Sequence, residues 1–313
     1  MRKLCAFPVI LCLASAARAA TVWIDTDVSI GSPIREVDDA YALVLAFHSP
    51  EIRIAGLSST YGNASLGQTT QVTRDLAGRF GRAANLTVDQ VYAGAGSPSD
   101  LHHRSRASDA LAAALQKHKI TYIALGPLTN LATFLRLHPN AANRIERVIF
   151  VGGQTPGVSL AFGPNRSFHI HDANVFKDPA ATEVVLRSGI PLVLVPITTA
   201  SQLLIDEANL RDLSAGGTAG SCLASRSKTW FWFWTHLVKA KGGPIFDALA
   251  IIPMVRPELL SMSERSAIMD EARNLVVTPR LTKGARRVRY CTGFAPGTKP
   301  FVMQRLVAHR YGE

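Results

Sequence analysis

Four aspartates lie between a short apolar run and a longer one near the start of the chain: Asp25, Asp27, Asp38 and Asp39. The pattern predicts a buried strand over Thr21–Ile24 and a helix over Asp38–His48, which brings the four carboxyl groups to one strand end. Ionised carboxylates in one crevice repel one another, and a hard cation with oxygen ligands is the simplest group to relieve that repulsion. Taken singly, each acid has an ordinary alternative role as a helix N-cap or a turn residue.

Beyond this unit, apolar runs of strand length alternate with helical patterns. The predicted strands are Ile52–Ser59, Gln90–Ala93, Ile120–Leu125, Val148–Val151 and Leu192–Pro196. The alternation predicts an α/β fold of the Rossmann-like type, an open and mostly parallel sheet flanked by helices, with its ligand crevice outside the carboxyl ends of the strands. No flexible linker or repeat interrupts residues 20–313, so we expect one domain there.

The first nineteen residues have the pattern of a secretory signal peptide. Arg2 and Lys3 form a basic start, Leu4–Ala17 is apolar but too short to cross a bilayer, and Ala17-Arg18-Ala19 fits an A-x-A cleavage site. We therefore expect residues 1–19 to be removed and the mature protein to be periplasmic or secreted. No later window is long and apolar enough for a membrane helix, so we expect no membrane association after cleavage.

The net charge and the cysteines narrow the range of partners that we expect. The formal net charge is +11, and it falls to about +8 without the leader. One basic cluster consists of Arg280, Lys283, Arg286, Arg287 and Arg289. No aromatic residues interleave with it, so it fits a solvated hairpin face and we expect no nucleic-acid partner. Beyond the leader, Cys222 and Cys291 would suit either a disulfide in an oxidising compartment or two buried free thiols.

A run of five aromatic residues, W-F-W-F-W, extends from Trp230 to Trp234. On a helix, Trp230 and Trp234 share one face, whereas Trp232 points elsewhere. Most of the run is expected to pack inward, but five such rings cannot all belong to the core. We therefore take Trp230 and Trp234 as candidates for binding a flat ligand at the crevice.

Short motifs occur in a fixed order along the chain: I-D-T-D at Ile24–Asp27 with D-D at Asp38–Asp39, Y-G-N at Tyr61–Asn63, A-L-G-P-L-T-N-L-A at Ala124–Ala132, V-G-G at Val151–Gly153, D-A-N-V-F-K-D-P at Asp172–Pro179 and F-D at Phe246–Asp247. In this order the chain resembles the calcium-dependent nucleoside hydrolases of the inosine-uridine preferring type. Each motif alone is weak, but the set is specific. The resemblance covers Ile24 to about Leu259 and implies that family's fold.

The resemblance also implies roles for individual residues. Ca²⁺ would be held by the side chains of three acids and by one backbone carbonyl: Asp27, Asp39, Asp247 and Leu125. Asp27 would in addition be the catalytic base that takes a proton from the metal-bound water. Asp25 would lie outside the direct contacts of the metal and would orient its neighbouring residues. The hydroxyl groups of the ribose would be bound by four further side chains: Asp38, Asn63, Asp172 and Asn174.

The chemistry of N-glycosidic hydrolysis explains why such residue types are needed. Positive charge grows on the sugar as the base departs, and carboxylates around the ribose stabilise that charge. A cation that fixes both the water and the diol lowers the entropy cost of attack. About seven oxygen ligands suit Ca²⁺, whereas zinc would require a Cys/His cluster at ligand spacing, which the sequence lacks.

The chain departs from the family pattern at three places. Ten residues, Val28–Val37, separate Asp27 from Asp38 where the commonest pattern has three, and we expect Gly31-Ser32-Pro33 to fold out as a small loop. Asp172-Ala173 replaces the usual Glu-Phe. Phe246 stands where many members carry a histidine thought to protonate the departing base. Protonation of the base must therefore be favoured by stacking on a tryptophan or supplied by another histidine. The candidate histidines are His102, His103, His169 and His171.

The sequence as a whole predicts a secreted or periplasmic, calcium-dependent N-ribohydrolase that cleaves a nucleoside, with a purine as the expected base, to free base and ribose. One alternative is a periplasmic nucleoside- or ribose-binding protein without turnover, which the missing histidine keeps open. Another is a metal-dependent phosphohydrolase built on D-x-D, although no phosphate-cradling glycine loop follows that strand. A homodimer or a homotetramer would be compatible with these features.

Overall fold

The structure is a computed structural model that describes residues 19–158, 160–280 and 282–308. The predicted signal peptide, apart from Ala19, lies outside the described residues and stays a prediction. Within the described ranges, no helix combines the length and the apolar character needed to cross a membrane.

Thirteen strands are found in the described part of the chain: β1 Ala20–Thr26, β2 Ile52–Ser59, β3 Val91–Ala93, β4 Ile120–Ala124, β5 Ile145–Val151, β6 Leu160–Phe162, β7 Phe168–Ile170, β8 Leu192–Val195, β9 Leu204–Ile205, β10 Gly243–Pro244, β11 Leu260–Met269, β12 Leu275–Thr278 and β13 Arg286–Phe294. Nine of these form one sheet in the order β12-β11-β13-β8-β5-β4-β1-β2-β3. The seven strands from β13 to β3 are parallel, and β11 pairs antiparallel with both of its neighbours.

The α-helices of the described residues are α1 Asp38–Phe47, α2 Leu66–Phe80, α3 Arg106–Lys117, α4 Thr129–Leu137, α5 Ala173–Lys177, α6 Pro179–Arg187, α7 Ile197–Ala200, α8 Glu207–Ala215, α9 Thr218–Arg226, α10 Lys228–Trp232, α11 Ile252–Val255 and α12 Thr298–Val307. A single π-helical turn, Phe233–Leu237, continues α10. A 3₁₀ turn over Phe246–Ala250 precedes α11.

The central strands are buried on both faces, as expected of a parallel sheet covered by helices. Successive side chains point to opposite faces. Trp23, Tyr122 and Phe150 therefore belong to one apolar cluster, whereas Ile24 and Ile123 belong to the other. Helix α1 is buried along its whole length in the second cluster. The predicted α/β fold with an open, mostly parallel sheet is confirmed.

The C-terminal part differs from the sequence-based expectation. The predicted basic hairpin is a three-stranded unit whose last strand, β13, pairs with β8 and lengthens the parallel sheet. The segment Phe246–Val255 is divided into a 3₁₀ turn and the short helix α11. Pro253 accounts for this division, because it has no N–H to donate to the preceding turn. Cys222 and Cys291 are both buried free thiols.

Candidate metal and ligand site

A cavity of about 220 Å³ opens at the carboxyl edge of the sheet. Its lining includes the polar or acidic residues Glu36, Asp38, Asn63, His171, Asp172, Asn174 and Asp247, together with Leu125 and the apolar residues Phe168, Ile170, Ile197 and Phe246 among others. The predicted ligand crevice is therefore present, and six of the residues predicted for the site line it. A lining with both acidic and aromatic side chains suits a ligand that joins a sugar to a flat ring.

Three buried acids lie close together at this cavity, and two of them line it: Asp38 and Asp247. One carboxylate oxygen from each of Asp38, Asp39 and Asp247 lies within 4.8 Å of the others. Asp38 and Asp39 occupy the first turn of α1, where the helix dipole favours negative charge, and the N-cap is Val37. The alternative in which Asp38 or Asp39 serves as the N-cap is therefore wrong.

The electrostatics of these acids indicate a shortage of positive charge. Burial and then neighbouring acids raise the pKa of Asp38 and of Asp247 well above the usual range. Burial, reinforced by Asp27, raises the pKa of Asp39 to about 8. Among the described residues, no group donates a hydrogen bond to the buried Asp38 Oδ1. An all-oxygen donor set with an unpartnered buried oxygen fits a hard divalent cation.

Asp27 lies beside this group and is held by a separate set of contacts. Its Oδ2 accepts hydrogen bonds from the backbone N–H of Asn63 (2.8 Å) and from Lys177 Nζ (3.2 Å). Its own backbone N–H donates to Asp39 Oδ1 (3.1 Å), which also accepts from the Thr26 hydroxyl. Asp27 and Asp39 therefore share one network, as their predicted roles require, although the three mutually close carboxylates include Asp38 rather than Asp27.

Gly62 makes the contact between Asp27 and Asn63 geometrically feasible. Its φ of +155° lies in the region that side chains disfavour, and a Cβ at this position would lie 1.8 Å from Asp27 Oδ2. The Y-G-N motif therefore needs its glycine because the backbone passes against the carboxylate. The sequence identified the motif, but not this reason for it.

The remaining predicted ligands come from the ends of β4 and β5 and from α5. Asn174 Nδ2 donates to the carbonyl oxygens of Leu125 (2.6 Å) and Val151 (3.0 Å). A carbonyl oxygen has two lone pairs, so Leu125 keeps one for a cation. Asp172 accepts from the backbone N–H groups of Gly153 (2.6 Å) and Val175 (3.2 Å) and caps α5, while burial raises its pKa to about 6.

Asp25 contributes to the site indirectly. Its Oδ1 accepts from the Ser58 hydroxyl (2.5 Å) and from Asn130 Nδ2 (2.7 Å), so it ties β1 to β2 and to α4. Burial raises its pKa to about 7. Asp25 thereby fixes the strand ends that carry Asp27 and Asn63, which agrees with the supporting role implied by the resemblance.

The aromatic run contradicts one part of the prediction. Trp230 and Trp234 are 1% and 0% exposed and lie behind the cavity, whereas Trp232 is 48% exposed. The rings of Phe168 and Trp234 meet edge to face at 5.8 Å, and Phe168 is the ring that lines the cavity. Trp230 and Trp234 thus lie on the same face, as their spacing predicts, but that face packs into the core and not against the cavity.

Glu36 is a cavity residue that the sequence did not single out. It belongs to the long segment between Asp27 and Asp38, which turns outward at Gly31 as expected. Its Oε2 accepts a hydrogen bond from Trp230 Nε1 (2.8 Å). Burial raises the pKa of Glu36 to about 7, although this hydrogen bond acts to lower it. The extra length of the segment was the available signal for an additional side chain at the site.

The four histidines considered as proton donors differ in their positions relative to the cavity. His171 lines the cavity, whereas His103 lies in a different depression beside Asp100. His102 ends an exposed 3₁₀ turn, and His169 is exposed on β7. Phe246 lines the cavity at the position where many family members have histidine.

The raised pKa values predict how the stability of the metal-free protein depends on pH. The folded state holds protons on Asp25 and Asp39 up to about pH 7 and 8, whereas the unfolded chain releases them near pH 4. This stabilisation is fully present below about pH 4 and is lost as pH rises through the folded pKa values. We expect the melting temperature in EGTA to fall by several degrees between about pH 5 and pH 8.

Calorimetry in EGTA checks this expectation. Saturating Ca²⁺ provides the control, because a bound dication favours the ionised acids and should flatten the profile. A melting temperature that stays constant or rises over the same interval in EGTA would contradict it.

An open parallel sheet with an acid-lined cavity at its carboxyl edge defines the class of α/β proteins that bind small polar ligands at strand ends. The sequence profile of the inosine-uridine preferring nucleoside hydrolases matches residues 22–294, so the chain belongs to that family. This confirms the resemblance, and it makes the chain an enzyme that cleaves N-glycosidic bonds rather than a binding protein or a phosphohydrolase.

Individual relatives agree with this assignment. The chain is 27% identical over 300 residues to the pyrimidine-specific ribonucleoside hydrolase RihA of Salmonella schwarzengrund (strain CVM19633), covering 88% of this chain and 92% of the relative. The plant nucleoside hydrolase PpNRh1 superposes with a TM-score of 0.76 at 22% identity over 93% and 99% of the two chains. A purine-preferring ribonucleoside hydrolase from Gardnerella vaginalis superposes with a TM-score of 0.75 at 20% identity over 92% and 98%.

Proposed function

We propose that this enzyme hydrolyses a ribonucleoside to free base and ribose with Ca²⁺ bound among its acids. The observation that carries the proposal is the convergence of Asp38, Asp39 and Asp247 in one buried group at a cavity that also contains Asn63 and Asn174. These residues come from four separate segments of the chain. Oxygen donors of this number and kind suit Ca²⁺ better than zinc.

Different residues would serve as the catalytic base and as the ligands of the cation. Asp27 would accept the proton of the attacking water, because its carboxylate is anchored beside the acid group by Asn63. Asp39, Asp247 and the Leu125 carbonyl would hold the cation with it. When bound, Ca²⁺ would orient the ribose diol and the water and make that water more acidic.

The other polar side chains would act on the sugar. Asp38, Asp172 and Asn174 line the cavity within reach of one bound molecule. Their negative charge and hydrogen-bond acceptors would stabilise positive charge as it develops on the ribose. Asp172 is rigidly placed by two backbone N–H groups, so it needs little reorganisation when the substrate binds.

The departing base would contact the aromatic residues of the cavity, Phe168 and Phe246. His171 and Glu36 are the polar residues of the cavity that could bind the base there. The purine preference expected from the aromatic run has less support now that Trp230 and Trp234 are buried. Because the Salmonella relative is named pyrimidine-specific, both classes of base need to be tested.

The test of the proposed function is hydrolysis of inosine, adenosine, uridine and cytidine, followed by chromatography of the free base and an assay of reducing sugar. Release of base and ribose in equal amounts, dependent on Ca²⁺, is the expected result. Phosphate release from ribose 5-phosphate serves as the negative control. Tight binding without release of any base would overturn the proposed reaction.

Two tryptophans of the aromatic run allow the contribution of Glu36 to be measured. Trp230→Phe removes the indole N–H that donates to Glu36 Oε2 (2.8 Å), whereas Trp232→Phe changes the exposed tryptophan of the same run, which does not line the cavity. Both changes retain most of the ring volume. We expect Trp230→Phe to lower kcat/KM about tenfold, the loss of one hydrogen bond to a charged group, and Trp232→Phe to leave it within about twofold.

Steady-state kinetics on the best nucleoside, with thermal melts of both variants, check this prediction. Equal kcat/KM values for the two variants would contradict a role of Glu36 in substrate binding or turnover.

We also propose export of the protein to the periplasm or the medium. The basic start, the short apolar run and the A-x-A site of residues 1–19 support this proposal. Cell fractionation with N-terminal sequencing of the mature chain tests it, and an intact leader on a cytoplasmic protein would refute it.

A further inference from the structure

Lys177 provides a cation at the edge of the acid cluster. Its Nζ lies 3.2 Å from Asp27 Oδ2 and 3.4 Å from Asn63 Oδ1. Only 22% of the lysine side chain and 1% of the Asp27 side chain are exposed, so water screens this ion pair poorly. In the described part of the chain, no other Lys or Arg forms an ion pair with Asp25, Asp27, Asp38, Asp39 or Asp247.

The backbone holds Lys177 in this place. It is the last residue of α5, whose N-cap is Asp172 and whose second residue is Asn174, both lining the cavity. The next residue, Asp178, caps α6 by accepting a hydrogen bond from the backbone N–H of Ala181 (2.9 Å). Because caps fix both ends of this short segment, the lysine can reach Asp27 without reordering the chain.

The ion pair opposes a bound dication. Asp27 is a proposed cation ligand, and a fixed positive charge 3.2 Å from one of its oxygens repels a second positive charge at the same carboxylate. The same lysine relieves repulsion among the acids when no metal is bound. Lys177 therefore lowers the free energy of the metal-free state and raises that of the metal-bound state.

We propose that Lys177 is a positioning residue that weakens and sets the affinity of this site for its divalent cation. This inference rests on the proposed function, because it takes Asp27 to be a metal ligand. It predicts that the protein binds Ca²⁺ more weakly than its number of buried carboxylates alone would give.

The test is isothermal titration of CaCl₂ into the EGTA-treated and desalted full-length protein. We expect Lys177→Met to lower the Kd for Ca²⁺ at least tenfold, and Lys177→Arg, which keeps the charge, to stay within about threefold of the unchanged protein. Lys299→Met is the matched control, because Lys299 forms a comparable ion pair with Asp206 (2.8 Å) away from the cavity. Its Kd should not change.

A second measurement uses stability rather than heat. Lys177→Met should have a lower melting temperature without metal and a larger rise on adding Ca²⁺ than the unchanged protein, because the acids then lack their counter-charge. If Lys177→Met folds only in Ca²⁺, circular dichroism as a function of Ca²⁺ shows the same coupling and supports the inference.

The outcomes separate the two proposals. An unchanged Kd in Lys177→Met, with Ca²⁺ binding intact in the unchanged protein, would overturn the role of Lys177 alone. Absence of Ca²⁺ binding in both proteins would overturn the calcium site and, with it, the role of the lysine. If Lys177→Met does not fold under any condition, Lys177→Gln is titrated against the same criterion.

Discussion

Replacing Asp27 by asparagine is expected to lower kcat for nucleoside hydrolysis on the order of 10³-fold while the protein stays folded. An amide cannot accept the proton of water, and it is a poorer ligand for a dication than a carboxylate. The fold should survive because the amide oxygen can still accept the backbone hydrogen bond of Asn63, which Asp27 Oδ2 now accepts at 2.8 Å. The measurement is the rate of base release at saturating substrate and Ca²⁺.

Asp178→Asn is the matched control for this substitution. Asp178 is also a buried aspartate, but it caps α6 and accepts a hydrogen bond from the Thr129 hydroxyl (2.6 Å). Its loss should lower the melting temperature and leave kcat close to that of the unchanged enzyme. Substantial turnover by Asp27→Asn, in protein shown to be folded by circular dichroism, would remove Asp27 from the role of the base.

Removal of the divalent cation should have an effect of similar size. We expect dialysis against EGTA to reduce activity at least 100-fold and to lower the melting temperature, because Asp38, Asp39 and Asp247 would lie close together without their counter-charge. Calcium should restore both properties. At a concentration of 100 times its Kd, a ligand that binds only the folded state stabilises that state by about 2.7 kcal/mol.

Asp247→Ala distinguishes this site from weak surface binding of calcium. The variant should lose most of the stabilisation by Ca²⁺, because one of the three converging carboxylates is gone. Full activity of the chelated enzyme, or equal stabilisation of Asp247→Ala by calcium, would refute the assignment of the metal site. Zn²⁺ in place of Ca²⁺ should not restore activity, since the site offers oxygen donors only.

The sequence was sufficient to predict the strand ends and the edge of the sheet at which the cavity lies. Asp27, Asn63 and Leu125 follow parallel strands, and the carboxyl ends of such strands meet at one edge, so their convergence follows from local patterns alone. Asp247 arises far along the chain, and only the resemblance to a family linked it to the others. The structure brings it beside Asp38 and Asp39.

The sequence failed where tertiary packing decides the outcome. Helical spacing placed Trp230 and Trp234 on one face, but it could not tell whether that face meets the cavity or the core. The pairing of β13 with β8 depends on residues almost a hundred positions apart, for which no local pattern exists. Lys177 was not identified because a single charged residue carries no positional signal before its neighbours are known, and the extra length of the segment before Asp38 did not show that Glu36 enters the cavity.

The outward turn between Asp27 and Asp38 is anchored by a residue that contacts the opposite side of the site. Arg35 donates from Nη1 to the backbone carbonyl of Asn63 (2.9 Å), and the next residue, Glu36, enters the cavity. Trimming this turn to three residues would delete both side chains while sparing every strand. A family member with the shorter segment therefore lacks counterparts of Arg35 and Glu36, and grafting the longer turn onto it would add both side chains in a single change.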